Sequence, residues 1–260
     1  MRPTLSADGI PIAYRAEGAG EPAVVLVHCW CGNQGFWKGS VAALKDRHRV
    51  VTLDLAGHGA SGRGRARYTV EAFAADVKAV VERLGLTRVI LVGHSMGGPV
   101  TLEAARLMPD RVVKLIPIDT FHNVEEVWPE EQRAAFLTPF EEGFRVAVRT
   151  FVPQLMPPGT DRGVVKRVVD AMAACDPAMG VSAMRELSAY PEAERIATVK
   201  VPIHAISGDL FPTDLAANRR HAPQFEVTVM KGTGHFPMFE HPAPFEAALA
   251  GAAEEGTGPR

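Results

Sequence analysis

Residues 88–107, RVILVGHSMGGPVTLEAARL, change character in their middle. Residues 89–92 are a continuous apolar run of strand length, and beyond Pro99 the apolar residues recur at helical spacing. Gly93, His94, Ser95, Met96 and Gly97 occupy the junction. A strand that turns straight into a helix forces the residue at the apex into a strained backbone conformation. Small residues two before and two after leave room for it. Ser95 is then expected to stand above the sheet edge, beside the backbone N–H groups of a helix N-terminus that can stabilise an oxyanion. Gly-x-Ser-x-Gly alone also describes a serine that caps a helix. The flanking strand and helix, with a suitable histidine downstream, favour the nucleophile.

A serine hydroxyl needs a base to take its proton at neutral pH. Of nine histidines, His235 in GTGHF is the candidate, because it lies after the last strand-like run and before the last helix-like one, in a Gly-rich loop that can fold back over the sheet edge. His94 is expected to point elsewhere on the turn, and His58 and His241 read as residues that brace loops.

Outward from Ser95, strand-length apolar runs alternate with helical segments: AVVLVH, RVVTLDL, RVILVG, KLIPID, PIHAISG and FEVTVMKG. Continuous apolar runs suit strands covered on both faces, so the class is α/β, with a mostly parallel central sheet of about eight strands and helices on both faces. The opening PTLSADGIPIAYRAEG reads as two strands joined at ADG, an antiparallel start to that sheet. After KLIPID, the sixth strand, the alternation breaks. Residues 121–197 read as a mostly helical insertion, interrupted by MPPGTD. The expected organisation is a core of residues 1–120 and 198–255 with a helical cap of residues 121–197. The closing AAEEGTGPR is small and polar and is expected to fray.

With 260 residues, 47% hydrophobic and 22% charged, the chain has ample apolar material for one large core. A net charge of -2 gives no electrostatic argument for nucleic acid or an anionic membrane surface. No signal-like segment and no bilayer-length apolar run is evident, so a cytoplasmic protein is expected, with a small-molecule acyl substrate as partner and a monomer or homodimer as its assembly. Three cysteines, an odd number, suggest no disulfide framework. Cys29 and Cys31 are one residue apart with no second pair, which suits neither zinc nor a dithiol redox motif, and Cys175 alone does not complete a site. They read as small buried side chains. No metal or organic cofactor is expected.

LVH followed by a turn, LDLAGHGASG, GHSMGG and GTGHF, in that order and at this spacing, resemble the α/β-hydrolase superfamily across nearly the whole chain. The resemblance implies that the loop after AVVLVH forms half of an oxyanion hole, with the backbone N–H groups of Trp30 and Met96 as donors. Cys29 departs from it, standing where the superfamily usually has glycine. Asp54 matches an aspartate whose role there is structural. The superfamily usually carries its third catalytic residue three positions beyond the Gly that ends PIHAISG, and Phe211 stands there. Asp209 comes too early. A minority of members place the acid at the end of the sixth strand, which here is Asp119. Asp119 is the expected partner of His235, with Asp209 as the alternative.

The cap is expected to cover Ser95 with an apolar pocket of modest size, drawing on an aromatic and methionine stripe that includes Trp128, Phe136, Phe140, Phe144 and Phe151. Trp128, Phe140, Phe144, Phe211 and Phe236 are the candidate pocket residues. The leading function is a serine hydrolase, carboxylesterase-like, that cleaves an ester, lactone or related acyl bond of a largely apolar substrate through an acyl-enzyme. The same residues also serve cofactor-free perhydrolases or haloperoxidases and carbon-carbon bond hydrolases in resembling proteins. A third reading is a small-molecule receptor built on this fold.

Overall fold

The computed structural model of the chain describes residues 3–255. β1 (Thr4–Leu5), β2 (Pro11–Ile12) and β3 (Tyr14–Glu17) precede an alternation of β4 (Ala23–Val27), α1 (Lys38–Leu44), β5 (Val50–Leu53), α2 (Val70–Arg83), β6 (Val89–His94), α3 (Gly97–Leu107) and β7 (Val112–Ile118). Four helices follow without a strand between them: α4 (Glu130–Phe151), α5 (Arg162–Ala173), α6 (Pro177–Ser188) and α7 (Glu192–Ile196). The chain then returns to the sheet with β8 (Ile203–Gly208), α8 (Leu215–His221), β9 (Phe225–Met230), α9 (Pro237–Glu240) and α10 (Pro242–Glu254).

The main sheet has seven strands in the order β3-β5-β4-β6-β7-β8-β9. Only β3 runs antiparallel to its neighbour, so the architecture is α/β as the alternation predicts. The strand count is corrected from about eight. β1 and β2 pair with each other as a separate two-stranded sheet, so the opening supplies one main-sheet strand. For the same reason the helical insertion follows the fifth main-sheet strand in chain order. Every residue of β4 and β6 is buried, as strands flanked by helices on both faces must be. β9 is buried only at its two ends, Phe225 and Met230, with Val229 exposed, because it is the sheet's edge.

α2 and α3 pack against each other, as do α1 and α10. α10 runs through Glu254, so the first residues of AAEEGTGPR are helical, and residues 256–260 lie outside the described ones.

This topology fixes where a ligand can sit. From β4 the chain moves to one side to form β5, then crosses to the other side to form β6, so the connections leaving β4 and β6 part and leave a crevice at their carboxyl ends. Val27 is opposite Gly93, and His94 opposite Ile118. The residues just past these strands, Cys29 and Trp30, Ser95, and Asp119, therefore gather at one edge.

Candidate active site

Ser95 has φ +53°, in the left-handed region that a side chain enters only at a cost, so the sharp turn expected from the sequence is present. Its amide donates to the Ile118 carbonyl at 3.0 Å, and its own carbonyl accepts from Gly98 at 2.7 Å, which pins the turn from both sides. The two flanking glycines are required by close packing. A Cβ on Gly93 would fall 2.1 Å from the Gly97 carbonyl oxygen, and one on Gly97 would fall 2.5 Å from that of Val27.

His235 lies between β9 and α9, and its Nδ1 is 2.6 Å from Asp119 Oδ2. Asp119 follows β7 at φ +44°, and its other oxygen accepts the Gly208 amide at 2.8 Å. Burial alone would push this carboxyl up. Contacts from His122 and His235 outweigh burial and hold it well below the usual carboxylate range. An ionised carboxylate can only accept, so the His235 ring proton is on Nδ1 and Nε2 is left with a free lone pair. The Ser95 hydroxyl has no hydrogen-bond partner among the described residues, and it lines the same cavity as His235 and Asp119.

Asp209, the alternative acid, is occupied elsewhere. Its Oδ1 accepts the amides of Gly232 at 2.8 Å and Thr233 at 3.3 Å, so it shapes the base of the loop that carries His235. His241 reaches the Gly232 carbonyl at 3.3 Å from the other end of that loop.

Trp30 and Met96 both line the cavity, and neither backbone N–H is bonded to another group among the described residues. Two buried histidines hold the Trp30 loop. The Leu55 amide donates to His28 Nε2 at 3.1 Å, so the His28 proton is on Nδ1 and goes to the Cys29 carbonyl at 2.8 Å. The Cys31 amide donates to His58 Nε2 at 3.3 Å, and His58 Nδ1 donates to the Ala56 carbonyl at 3.1 Å. Burial lowers the pKa of both rings and keeps them neutral, the state in which each can accept one bond and donate another. Cys29, in the usual glycine position, is not among the residues of positive φ, so its side chain costs no backbone strain. Asp54 accepts from the Gln34 and Ala60 amides and shapes the turns beneath the loop.

Two polar residues, His122 and Glu192, have no place in the sequence reading, and a third has a contact that the sequence does not announce. His94, next to Ser95, points away from the cavity as expected, and its Nε2 donates to the His235 carbonyl at 2.6 Å. Burial drives its pKa down to about 3, so it stays a neutral donor. With the His235 amide donating to the Leu155 carbonyl at 2.8 Å, the backbone of His235 is held at both ends. His122 brings Nε2 to 3.6 Å from Asp119 Oδ2 and lines the cavity. Its position three residues after Asp119 was the available signal. Glu192 reaches the cavity from the start of α7, and burial pushes its pKa up to about 7. Nothing near it in sequence announces that.

The cavity measures about 600 Å³ and is largely apolar, with Trp128, Phe136, Phe151, Leu155, Met172 and Met184 in its wall. Of the five pocket residues expected, Trp128 is in place and four require correction. Phe140 and Phe144 are buried behind the wall, each with its ring centroid 5.6 Å from that of Trp30. They face inward because α4 turns that side onto the Trp30 loop and α6. Phe211 lies outside the cavity against His122 and is 37% exposed. Phe236 is fully buried under the rings of His94 and His235. Phe136 and Phe151 do the lining that the sequence reading gave to Phe140 and Phe144.

The alpha/beta hydrolase family model matches residues 24–248, a span that takes in every residue just described. The chain belongs to the alpha/beta hydrolase family. This alpha/beta hydrolase is 29% identical to the pimeloyl-[acyl-carrier protein] methyl ester esterase of Edwardsiella ictaluri, over 91% of this chain and 95% of that protein. It is 25% identical to 3-oxoadipate enol-lactonase 2 of Acinetobacter baylyi, over 96% and 95% of the two chains. Among solved structures, a thermophilic esterase from Thermogutta terrifontis superposes with a TM-score of 0.87 at 25% identity, covering 99% of this hydrolase and 98% of that chain. Among the described residues, no helix is long and apolar enough to cross a membrane, and no cluster of three His, Cys, Asp or Glu side chains could hold a metal ion.

Proposed function

We propose that this protein is a serine hydrolase that cleaves a carboxylic ester or lactone of a small, largely apolar substrate through an acyl-enzyme. The observation that carries the proposal is the 2.6 Å contact between His235 Nδ1 and Asp119 on the cavity that also holds the strained Ser95. The esterase and enol-lactonase relatives support ester and lactone substrates. Ser95 Oγ attacks the carbonyl carbon while His235 Nε2 takes its proton, and Asp119 stabilises the imidazolium. The Trp30 and Met96 amides receive the negative oxygen. His235 then protonates the departing alkoxide. A water that loses its proton to the same nitrogen attacks the acyl-enzyme and releases the carboxylic acid and Ser95. The helices α4–α7 act as a cap that keeps the apolar part of the substrate out of water.

Labelling with a fluorophosphonate, followed by assays on short p-nitrophenyl esters and lactones, tests this. Label on Ser95 and loss of both labelling and turnover in Ser95→Ala are expected. Full ester turnover by Ser95→Ala overturns the proposal.

A further inference from the structure

The sulfurs of Cys31 and Cys175 are 2.6 Å apart, although 144 positions separate them in the chain. That is closer than ordinary contact between sulfurs, and only a small further approach separates it from the roughly 2.05 Å of a disulfide. Cys31 is the residue after Trp30, buried, with φ +53°. Cys175 sits between α5 and α6 and keeps part of its surface open to solvent. The same two segments already meet through the Trp30 indole, which donates to the Gly180 carbonyl in α6 at 2.8 Å. Both cysteines are free thiols as the chain stands. Cys29 is a third thiol nearby, buried and turned to the cavity side of the same loop.

We propose that Cys31 and Cys175 are a disulfide-forming modification site, closed by a two-electron oxidant of the peroxide class, that staples the Trp30 loop to the α5–α6 connection. Cys175 meets the oxidant first because it is the more exposed. Its thiolate attacks one peroxide oxygen, the O–O bond breaks, and Cys175 becomes a sulfenic acid while the other oxygen leaves as water after taking up a proton. The Cys31 sulfur then attacks Cys175, the S–S bond forms, and the remaining oxygen leaves as a second water carrying the Cys31 proton. Two thiols have together given up two electrons, and one peroxide has become two waters. Burial raises the Cys31 thiol well above its ordinary range, so Cys31 is a poor first target for the oxidant and reacts through its contact with the Cys175 sulfur. Burial pushes Cys29 up to about 12 as well, and it remains the unmodified thiol because the close sulfur contact of Cys175 is with Cys31.

The site tethers one of the two backbone donors assigned to the oxyanion to the helices above the cavity. The bond closes a long loop, so it limits the unfolded chain more than the folded one. The proposal stands or falls without reference to the substrate.

Peptide mapping without reduction decides it. Native protein is exposed to hydrogen peroxide, remaining thiols are blocked with iodoacetamide, and the melting temperature is measured in parallel. A cross-linked peptide pair containing Cys31 and Cys175 is expected, with the blocking group on Cys29 alone, and all three thiols are blocked after dithiothreitol. The oxidised protein should melt about 3–10 °C higher than the reduced one. Cys175→Ser should keep its ester turnover and lose both the cross-link and the shift. All three thiols still blocked after peroxide, overoxidised Cys175 without a cross-link, or a bond to Cys29 would each overturn the proposal. A Cys31–Cys175 cross-link that leaves the melting temperature unchanged would refute the staple as well.

Discussion

His235 and Asp119 meet at 2.6 Å although they lie 116 positions apart, and the carboxylate stands at the end of β7, not beyond β8 where Phe211 occupies the position expected from the resemblance. Asp119 can serve from there because β7 and β8 are neighbours with a common carboxyl edge, and the Gly208 amide at the end of β8 holds its second oxygen.

Replacing that acid should therefore be far more damaging than replacing the nearby alternative. Asp119→Asn is expected to lower kcat by about three to four orders of magnitude, as loss of a triad acid does. Asp209→Asn weakens only a turn and should leave kcat near that of the unmodified protein. Steady-state kinetics on one ester compares them, and the opposite ranking would assign the acid to Asp209.

His94 holds the backbone of His235, the proposed base, so its replacement should reach turnover through that residue. His94→Phe removes the donor to the His235 carbonyl while filling the same space. Small displacements of a catalytic group cost up to about a hundredfold, so kcat should fall about 10–100-fold with KM little changed. A variant with unaltered kcat would mean that the Leu155 contact alone suffices.

The two aromatic sets in α4 should separate by what they damage. Phe144→Ala leaves a hole against Trp30, and a buried Phe truncated to Ala typically costs about 3–5 kcal/mol, to be read from denaturant unfolding. Phe151→Ala opens the cavity wall and should shift the preferred acyl length upward in an ester series. If Phe144→Ala changed length preference without loss of stability, the placement of that ring behind the wall would be wrong.

Glu192, like Glu246, contributes to the pH dependence of stability. Its folded value of about 7 lies above the ordinary 4.5, so the unfolded chain gives up this proton first. Its contribution to stability is therefore lost as pH rises from 4.5 towards 7, and Glu192→Gln should flatten that decline. Ionisation also adds a negative charge to a cavity wall that holds Glu126 and Glu194 against the single guanidinium of Arg133. An ester carrying a free carboxylate should then show a KM about tenfold higher at pH 8 than at pH 6, equivalent to about 1.4 kcal/mol. A neutral ester should not. Equal KM values for the charged ester at both pH values would remove Glu192 from substrate selection.

The elements that local chemistry controls were legible before any fold was known. The apolar runs place β4 to β9 and the helical spacing beyond Pro99 places α3, since each depends on residues a few positions apart. Gly93 and Gly97 mark the turn at Ser95 because only glycine fits where a Cβ would strike a carbonyl. Where one side chain meets another across the chain was decided by the tertiary structure. Periodicity says that an α4 face is apolar but not whether Phe144 meets Trp30 or the cavity, and the kink at Gly143 between the two halves of that helix enters no spacing rule. The same holds for Cys175, set aside as isolated and brought against Cys31, and for His94, whose direction depends on which side of a strained turn it leaves. Sequence order sets what each segment can become, and packing at the carboxyl edge of the sheet selects which distant side chains share a site.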